Sequence, residues 1–150
     1  MKSTVSLALG AIVVALAIPA QAQFAKPEDA IKYRRNALYV MSTHFGRVGA
    51  MANGRVPFDA AAAASNAAIA EQMSKLPYAA FIDGSDKGDT KARPEIWTDR
   101  AKFNAAAEKM QTEMSKLTVV AKAGNIDAIK AQVGVTGGAC KACHDDFRKE

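Results

Sequence analysis

The chain contains few of the residues that usually build metal sites or disulfide frameworks. It has two cysteines and two histidines in 150 residues. A disulfide-stapled scaffold needs several cysteine pairs, so this class of protein is excluded. A structural zinc site needs four ligands. To form one from cysteine and histidine alone, all four of these side chains would have to converge. Three of the four, Cys140, Cys143 and His144, lie within five positions, so one short segment contains most of the potential metal ligands of these two types.

Clustered charge and long apolar runs are also lacking. The formal net charge is +5, but the basic residues form no cluster, which argues against nucleic-acid binding. The uncharged run from Val5 to Ile18 covers roughly fourteen residues, whereas a membrane-spanning helix needs about twenty. We therefore expect no membrane association once the N-terminus has been processed.

The N-terminus has the organisation of a secretory signal peptide. Lys2 precedes the apolar run, and Ala20-Gln21-Ala22 matches the small-x-small pattern of a cleavage site. Cleavage after Ala22 would leave residues 23–150, which suit a single domain. The alternative is an uncleaved N-terminal anchor. Export predicts a location outside the cytoplasm, and we expect the periplasm.

The rest of the chain is predicted to be helical, with no strand-like alternation to compete. The start signals are Pro27, Asp59 and Pro94, and Gly124 is a suitable C-cap. The predicted helices span about residues 27–52, 59–76, 94–124 and 127–149. Amphipathic helices with short links favour an all-α fold, an antiparallel up-down-up-down four-helix bundle. The long segment 77–93 has an aromatic, apolar first half that would suit a ligand cover.

The C-x-x-C-H unit lies on the core-facing stripe of the last predicted helix. This pattern is typical of c-type haem attachment, in which two thiols bond one porphyrin and the histidine binds the iron. Covalent attachment takes place outside the bacterial cytoplasm, in agreement with export. A thioredoxin-like dithiol would need a βαβ pattern, zinc would need His44 as the fourth ligand, and a plain disulfide is the remaining alternative. The site prediction is one haem c held by Cys140 and Cys143, with His144 on the iron.

The first helix must supply the opposite face of the iron, and it offers Leu38, Met41 and His44. A sixth protein ligand would make a low-spin electron carrier, and an apolar residue would leave the iron open to a small gas molecule. Haem propionates need donors, and Arg34 lies on the seam of this helix, with Arg35 beside it. We expect both arginines in the haem pocket.

The segments "KPEDAIKYRRNAL", "ARPEIW" and "CKACHDDFRK" together resemble cytochrome c′, the class II c-type cytochromes. The resemblance covers residues 23–150, and the motif lies near the C-terminus, whereas small c-type cytochromes of the ordinary kind carry it near the N-terminus. The resemblance implies that Leu38 lies over the iron as an apolar lid. It also implies haem-pocket positions for Arg93 and Glu95, a proximal position for Arg148, and an antiparallel homodimer through the first two helices.

The resulting functional prediction is a periplasmic, monohaem, five-coordinate high-spin protein that binds NO and CO and transfers electrons with redox partner proteins. An apolar pocket disfavours O₂, because bound O₂ needs a hydrogen-bond donor. The alternative is a six-coordinate, low-spin electron carrier with Met41 as sixth ligand. We expect no enzyme, because no acid–base pair is visible beside Leu38.

Overall fold

The computed structural model describes residues 23–150; the predicted signal peptide and its cleavage site lie outside the described residues. The helices are α1 (Pro27–Ala52), α2 (Ala60–Ser74), α3 (Glu95–Thr98), α4 (Arg100–Ala123) and α5 (Ile126–Phe147), with a 3₁₀ turn at Pro77–Ala80. In this part of the chain the only extended pairing is an isolated bridge between Ala92 and Arg148. None of its helices is long and apolar enough to cross a membrane.

Helices α1 and α2 begin, and α4 ends, at the residues that the sequence predicts. Pro27 occupies the first turn of α1, where its missing N–H costs nothing. The Asp59 carboxylate accepts a hydrogen bond from the Ala62 N–H at 2.9 Å and so caps α2. Gly124 adopts φ +73° after α4, a left-handed conformation that favours glycine.

The third predicted helix is in fact two helices. The chain leaves the helical conformation at Asp99 (φ −126°, ψ 62°), which separates α3 from α4. The Asp99 side chain accepts from the Lys102 N–H at 3.1 Å, so it caps α4 instead of continuing α3. Aspartate competes for backbone donors in this way. The sequence does not reveal this break, because apolar residues recur every seven positions across it, at Ile96, Phe103, Met110 and Leu117.

The last predicted helix ends earlier than expected, at Phe147 instead of Lys149. Arg148, which lies inside the predicted helix, is the C-cap and has an extended backbone (φ −121°, ψ 132°), so it does not share a helix face with His144. The reason is the bridge with Ala92, which requires an extended residue at this position. The glycines of α5 do not interrupt it.

Helices α1, α2, α4 and α5 form the predicted four-helix bundle. The alanines of α2 at positions 63, 67 and 70 are fully buried, which lets α2 approach its neighbours closely. Met114 and Leu117 of α4 are fully buried in the same core. Among the four bundle helices, α1 and α5 are the neighbouring pair that packs least closely. The wide side of the bundle is therefore the one where α1 faces the C-x-x-C-H unit.

Candidate haem site

The two cysteines lie on α5 at the junction of two apolar clusters. Cys140 packs against the main core, and Cys143 packs against a second cluster that includes Phe103 and Phe147. Both are half-buried free thiols. Burial raises the pKa of Cys140, and burial followed by the nearby Cys140 raises the pKa of Cys143 to about 11. The apolar surroundings of both thiols therefore favour their neutral form over the thiolate.

The second histidine of the chain does not join the cysteines. His44 Nδ1 lies 2.8 Å from Asn66 Oδ1, so its ring is tied to α2. Within residues 23–150, no three side chains of the metal-binding types converge on a point. The zinc alternative therefore finds no support in this part of the structure.

His144 follows the cysteines in the last turn of α5. The residue is exposed, yet partial desolvation of its ring and then the positive charge of Arg148 lower its pKa, while Asp145 opposes the effect. Neutral imidazole is the form that binds metals. Arg148 is therefore close enough to act electrostatically on His144, although it has left the helix.

An aromatic wall stands beside the cysteines. Tyr78 contacts both apolar clusters, stacks on Phe81 with centroids 6.3 Å apart, and lies 5.7 Å from Phe103. The pKa of Tyr78 is raised, first by burial and then by the thiols of Cys143 and Cys140. The first half of segment 77–93 thus lies against the C-x-x-C-H unit.

Helix α1 presents apolar residues to this region. Leu38 is half-buried and packs against the main core, whereas Met41 is one of the buried members of that core. Phe45 also faces α5, since a Cβ added to Gly137 would lie 4.0 Å from Phe45 Cζ. Phe45 therefore lines the space between α1 and α5, and it is absent from the residues predicted from the sequence. Its position on the apolar seam of α1 was the signal that could have identified it.

Arg34 is buried, with 2 % of its surface exposed, and it holds the loop after the 3₁₀ turn. Its guanidinium donates to Ala80 O, to Ser85 Oγ and O, and to Thr90 Oγ1, at 2.6–3.0 Å. It also lies over the Phe81 ring, 4.4 Å from the centroid. Burial lowers its pKa to about 10, which leaves it charged at neutral pH. The structure therefore shows loop acceptors for Arg34, and its contact with a propionate stays a prediction.

The remaining predicted pocket residues lie around the edge of the site. Arg35 is exposed and pairs with Asp89. Arg93 Nη1 donates to Asp145 O at 3.2 Å, so its side chain contacts the end of α5. Glu95 is exposed in the first turn of α3. The structure brings Arg93 and Arg148 close to the turn that contains His144, and it pairs Arg35 with Asp89 of the loop held by Arg34.

These residues fit a covalently attached haem. Two free, half-buried thiols point into apolar surroundings, an imidazole follows them, aromatic rings line one wall, and the facing helix stands apart. A zinc or disulfide site would not require the aromatic side chains of Tyr78, Phe81 and Phe103 beside the cysteines, whereas a flat porphyrin would pack against them. A helical bundle with a C-x-x-C-H unit at the end of its last helix is the architecture of a c-type haem protein of the bundle class.

Comparison with known proteins identifies the family. The model of the cytochrome c′ family matches residues 29–148, so the chain belongs to that family. Members bind haem c covalently through cysteines, and haem c is the cofactor of this protein. The chain is similar to cytochrome c′ from Rubrivivax gelatinosus, 52% identical over 129 residues, covering 85% of this chain and 100% of the relative. It is 47% identical over 128 residues to cytochrome c′ from Alcaligenes xylosoxydans, covering 85% and 99%.

Solved structures agree with this assignment. The crystal structure of the Rubrivivax gelatinosus protein superposes with a TM-score of 0.82, covering 85% of this chain and 100% of that one. The nitric oxide complex of a leucine-to-alanine variant of cytochrome c prime from Alcaligenes xylosoxidans superposes with a TM-score of 0.80 at 44% identity, covering 85% and 99%. The predicted family and fold are therefore confirmed.

Proposed function

We propose that Cys140 and Cys143 hold one haem c by thioether bonds, that His144 is its axial protein ligand, and that the iron is five-coordinate and high-spin. The haem supplies a redox-active iron that binds small gas molecules. In this proposal the chain anchors the haem through α5, covers it with Tyr78 and Phe81, and keeps the opposite face apolar with Leu38. The protein binds NO and CO and transfers electrons.

The observation that carries the open-site proposal is the placement of the three candidates on α1. His44 is hydrogen-bonded to Asn66, and Met41 is packed into the main core with 8 % of its surface exposed. Leu38 is half-buried and offers no donor or ligand atom. An apolar residue in this position leaves the iron available to CO and NO, and it disfavours O₂ because no hydrogen bond stabilises the bound molecule.

Relatives support the gas ligands and leave the other roles as proposals. The nitric oxide complex has been solved for a leucine-to-alanine variant of the Alcaligenes xylosoxidans protein, and the similarity extends that ligand to this chain. Arg34 and Arg35 are proposed propionate partners, Arg93 and Glu95 are proposed pocket residues, and Arg148 is proposed to lie on the proximal side. The proposal includes a periplasmic location, a homodimer through α1 and α2, and redox partner proteins, and it includes no enzymatic activity.

The spin state of the purified ferric protein tests the proposal. We expect the absorption and electron paramagnetic resonance spectra of a five-coordinate high-spin haem at neutral pH, and CO binding without loss of a protein ligand. A Leu38→Met variant should become six-coordinate and low-spin and should lose CO binding, because a thioether would then reach the open face. The matched control is Met41→Leu, which should keep the wild-type spectrum.

A low-spin resting spectrum would contradict this proposal. If Met41→Leu then abolished the low-spin signal, Met41 would be the sixth ligand and the protein would be a six-coordinate electron carrier. The two functions are therefore separated by one pair of substitutions on α1.

A further inference from the structure

The C-terminal turn of α5 is tied to the segment that precedes α3. The Arg93 N–H donates to Phe147 O at 3.0 Å, and the Lys149 N–H donates to Lys91 O at 2.8 Å. These two hydrogen bonds flank the antiparallel pair Ala92 and Arg148. We call residues 91–93 and 147–149 the terminal bridge. It begins three residues after His144.

A helix end without such contacts is expected to fray. The last four carbonyls of a helix have no donor within the helix, and the last turn is the least stable part. In α5 the His144 carbonyl accepts from the Arg148 N–H at 3.0 Å, and the next carbonyl, of Asp145, accepts from Arg93 Nη1 at 3.2 Å. Arg93 therefore satisfies two carbonyls at this end, that of Asp145 with its side chain and that of Phe147 with its backbone.

The bridge is itself anchored to α1. Thr90 Oγ1 accepts from the Ala92 N–H at 3.1 Å and from Arg34 Nη2 at 2.8 Å. Arg34 lies one turn before Leu38 on the same helix, and it is buried and holds two further positions of the loop. A continuous set of hydrogen bonds thus runs from the core of α1, through Thr90 and the terminal bridge, to the turn that carries His144.

We propose that the terminal bridge is a positioning element for His144. It keeps the last turn of α5 helical, so the imidazole stays in place on the iron when a gas molecule binds to the opposite face. Cys143 fixes the haem to the preceding residue, but it does not fix the residues after His144. The bridge holds those residues. The inference rests on the proposed ligation of the haem iron by His144.

Proline at position 149 removes one hydrogen bond of the bridge and displaces the Lys91 carbonyl from that nitrogen. Proline has no N–H to donate to Lys91 O, and the extended backbone of Arg148 (φ −121°, ψ 132°) is the conformation favoured before proline. The Lys149 side chain is exposed. The variant Lys149→Pro is therefore matched by Lys149→Ala, which loses the same side chain and keeps the N–H.

The experiment uses the purified haem-containing protein in the ferrous state with NO. The electron paramagnetic resonance spectrum distinguishes NO complexes that keep the axial nitrogen of His144 from those that have lost it. In Lys149→Pro, the ratio of the second form to the first should rise about fivefold over Lys149→Ala, as expected for the loss of one backbone hydrogen bond. Hydrogen exchange of the Arg148 amide, which donates to His144 O, should become faster in the same variant. A chain ending at Arg148 lacks the same donor and should behave alike.

Two results would overturn the inference. The first is faster exchange of the Arg148 amide with an unchanged ratio of the two NO complexes, which would make the bridge a purely structural contact. The second is unchanged exchange in both the proline variant and the shortened chain. If the absorption spectrum of the wild-type protein before NO is added shows no axial histidine, the proposed haem site itself is refuted. The failures of the two proposals are therefore distinguishable.

Discussion

Arg34 shows how much a single residue can do in this fold. It is a charged side chain in the interior that donates four hydrogen bonds to loop acceptors and stacks on Phe81. Arginine suits this role because its planar guanidinium presents several donors in fixed directions, whereas lysine has a single ammonium on a flexible stem. The arginine therefore holds the aromatic half of the loop against the haem site.

Replacing Arg34 with lysine should destabilise the protein by about 3 kcal/mol, because several hydrogen bonds from a buried charge are lost and their acceptors are left unpaired. Urea unfolding of the haem-containing protein measures this loss. The matched control is Arg35→Lys, which alters an exposed pair with Asp89 and should change stability by less than about 0.5 kcal/mol. Equal losses in the two variants would contradict the anchoring role of Arg34.

At the scale of helices, α2 and α4 are joined by a polar contact as well as by the core. Ser115 Oγ donates to Glu71 Oε1 at 2.9 Å, and Gln111 Nε2 donates to Ser74 O at 3.2 Å. The pKa of Glu71 lies below its usual value, first because of the nearby Thr118 hydroxyl and then because of Ser115 and Lys75, while desolvation opposes the shift. The ionised carboxylate is therefore the form that the contact stabilises.

This contact predicts a specific dependence of stability on pH. Because the pKa of Glu71 is lower in the folded state, its contribution is complete above the usual value of 4.5 and is lost as the pH falls through the folded-state pKa. Glu71→Gln should cost about 1 kcal/mol at pH 7, the net value of such a contact, and should lose less stability than the wild type between neutral and acidic pH. Urea unfolding at several pH values measures both effects. Glu108→Gln, at an exposed position of α4, is the control and should follow the wild-type curve.

The break at Asp99 marks the limit of helix prediction in this chain. The apolar repeat continues from Ile96 to Phe103, and both residues are buried, so periodicity alone gives a single helix. Asp99 ends that helix because its carboxylate caps α4. A local hydrogen bond thus overrides a correct hydrophobic pattern.

At the scale of the whole molecule, the apolar surface is uneven. Among the described residues, the exposed large apolar side chains are concentrated in the α1–α2 hairpin and its ends: Tyr39, Val40, Val56, Phe58 and Leu76. In the described part of the chain, α4 and α5 each contribute one exposed large apolar side chain, Val119 and Val135 respectively. Tyr39 and Val40 are adjacent on α1, which is one of the two helices of the proposed homodimer.

A charged residue on this surface should separate the protomers. Tyr39 is 71 % exposed on α1, and Tyr39→Lys should raise the dissociation constant of the dimer at least tenfold, since it places a cation in an apolar contact. Light scattering after size exclusion, over a range of protein concentrations, measures the change. Val119, 68 % exposed on α4, provides the matched variant Val119→Lys, which should leave the dimer intact. Dissociation by Val119→Lys alone would place the interface on the other pair of helices.

The sequence by itself determined the helical class, the main helix starts and the chemistry of the haem attachment unit. These features depend on local signals: a seven-residue apolar repeat, capping residues, and three reactive side chains within five positions. The same local reasoning identified Arg34 as unusual, because a charge on an apolar seam is visible in the sequence.

Only the tertiary structure decided what the charged residues contact. Arg34 is directed to Ser85 and Thr90, about fifty positions away, and Arg148 leaves the helix because Ala92 pairs with it. The terminal bridge consists of backbone hydrogen bonds, which carry no side-chain signature and therefore leave no trace in the sequence. Contacts between segments distant in the chain depend on how the helices pack, and that packing brings His144, the bridge and the loop held by Arg34 together.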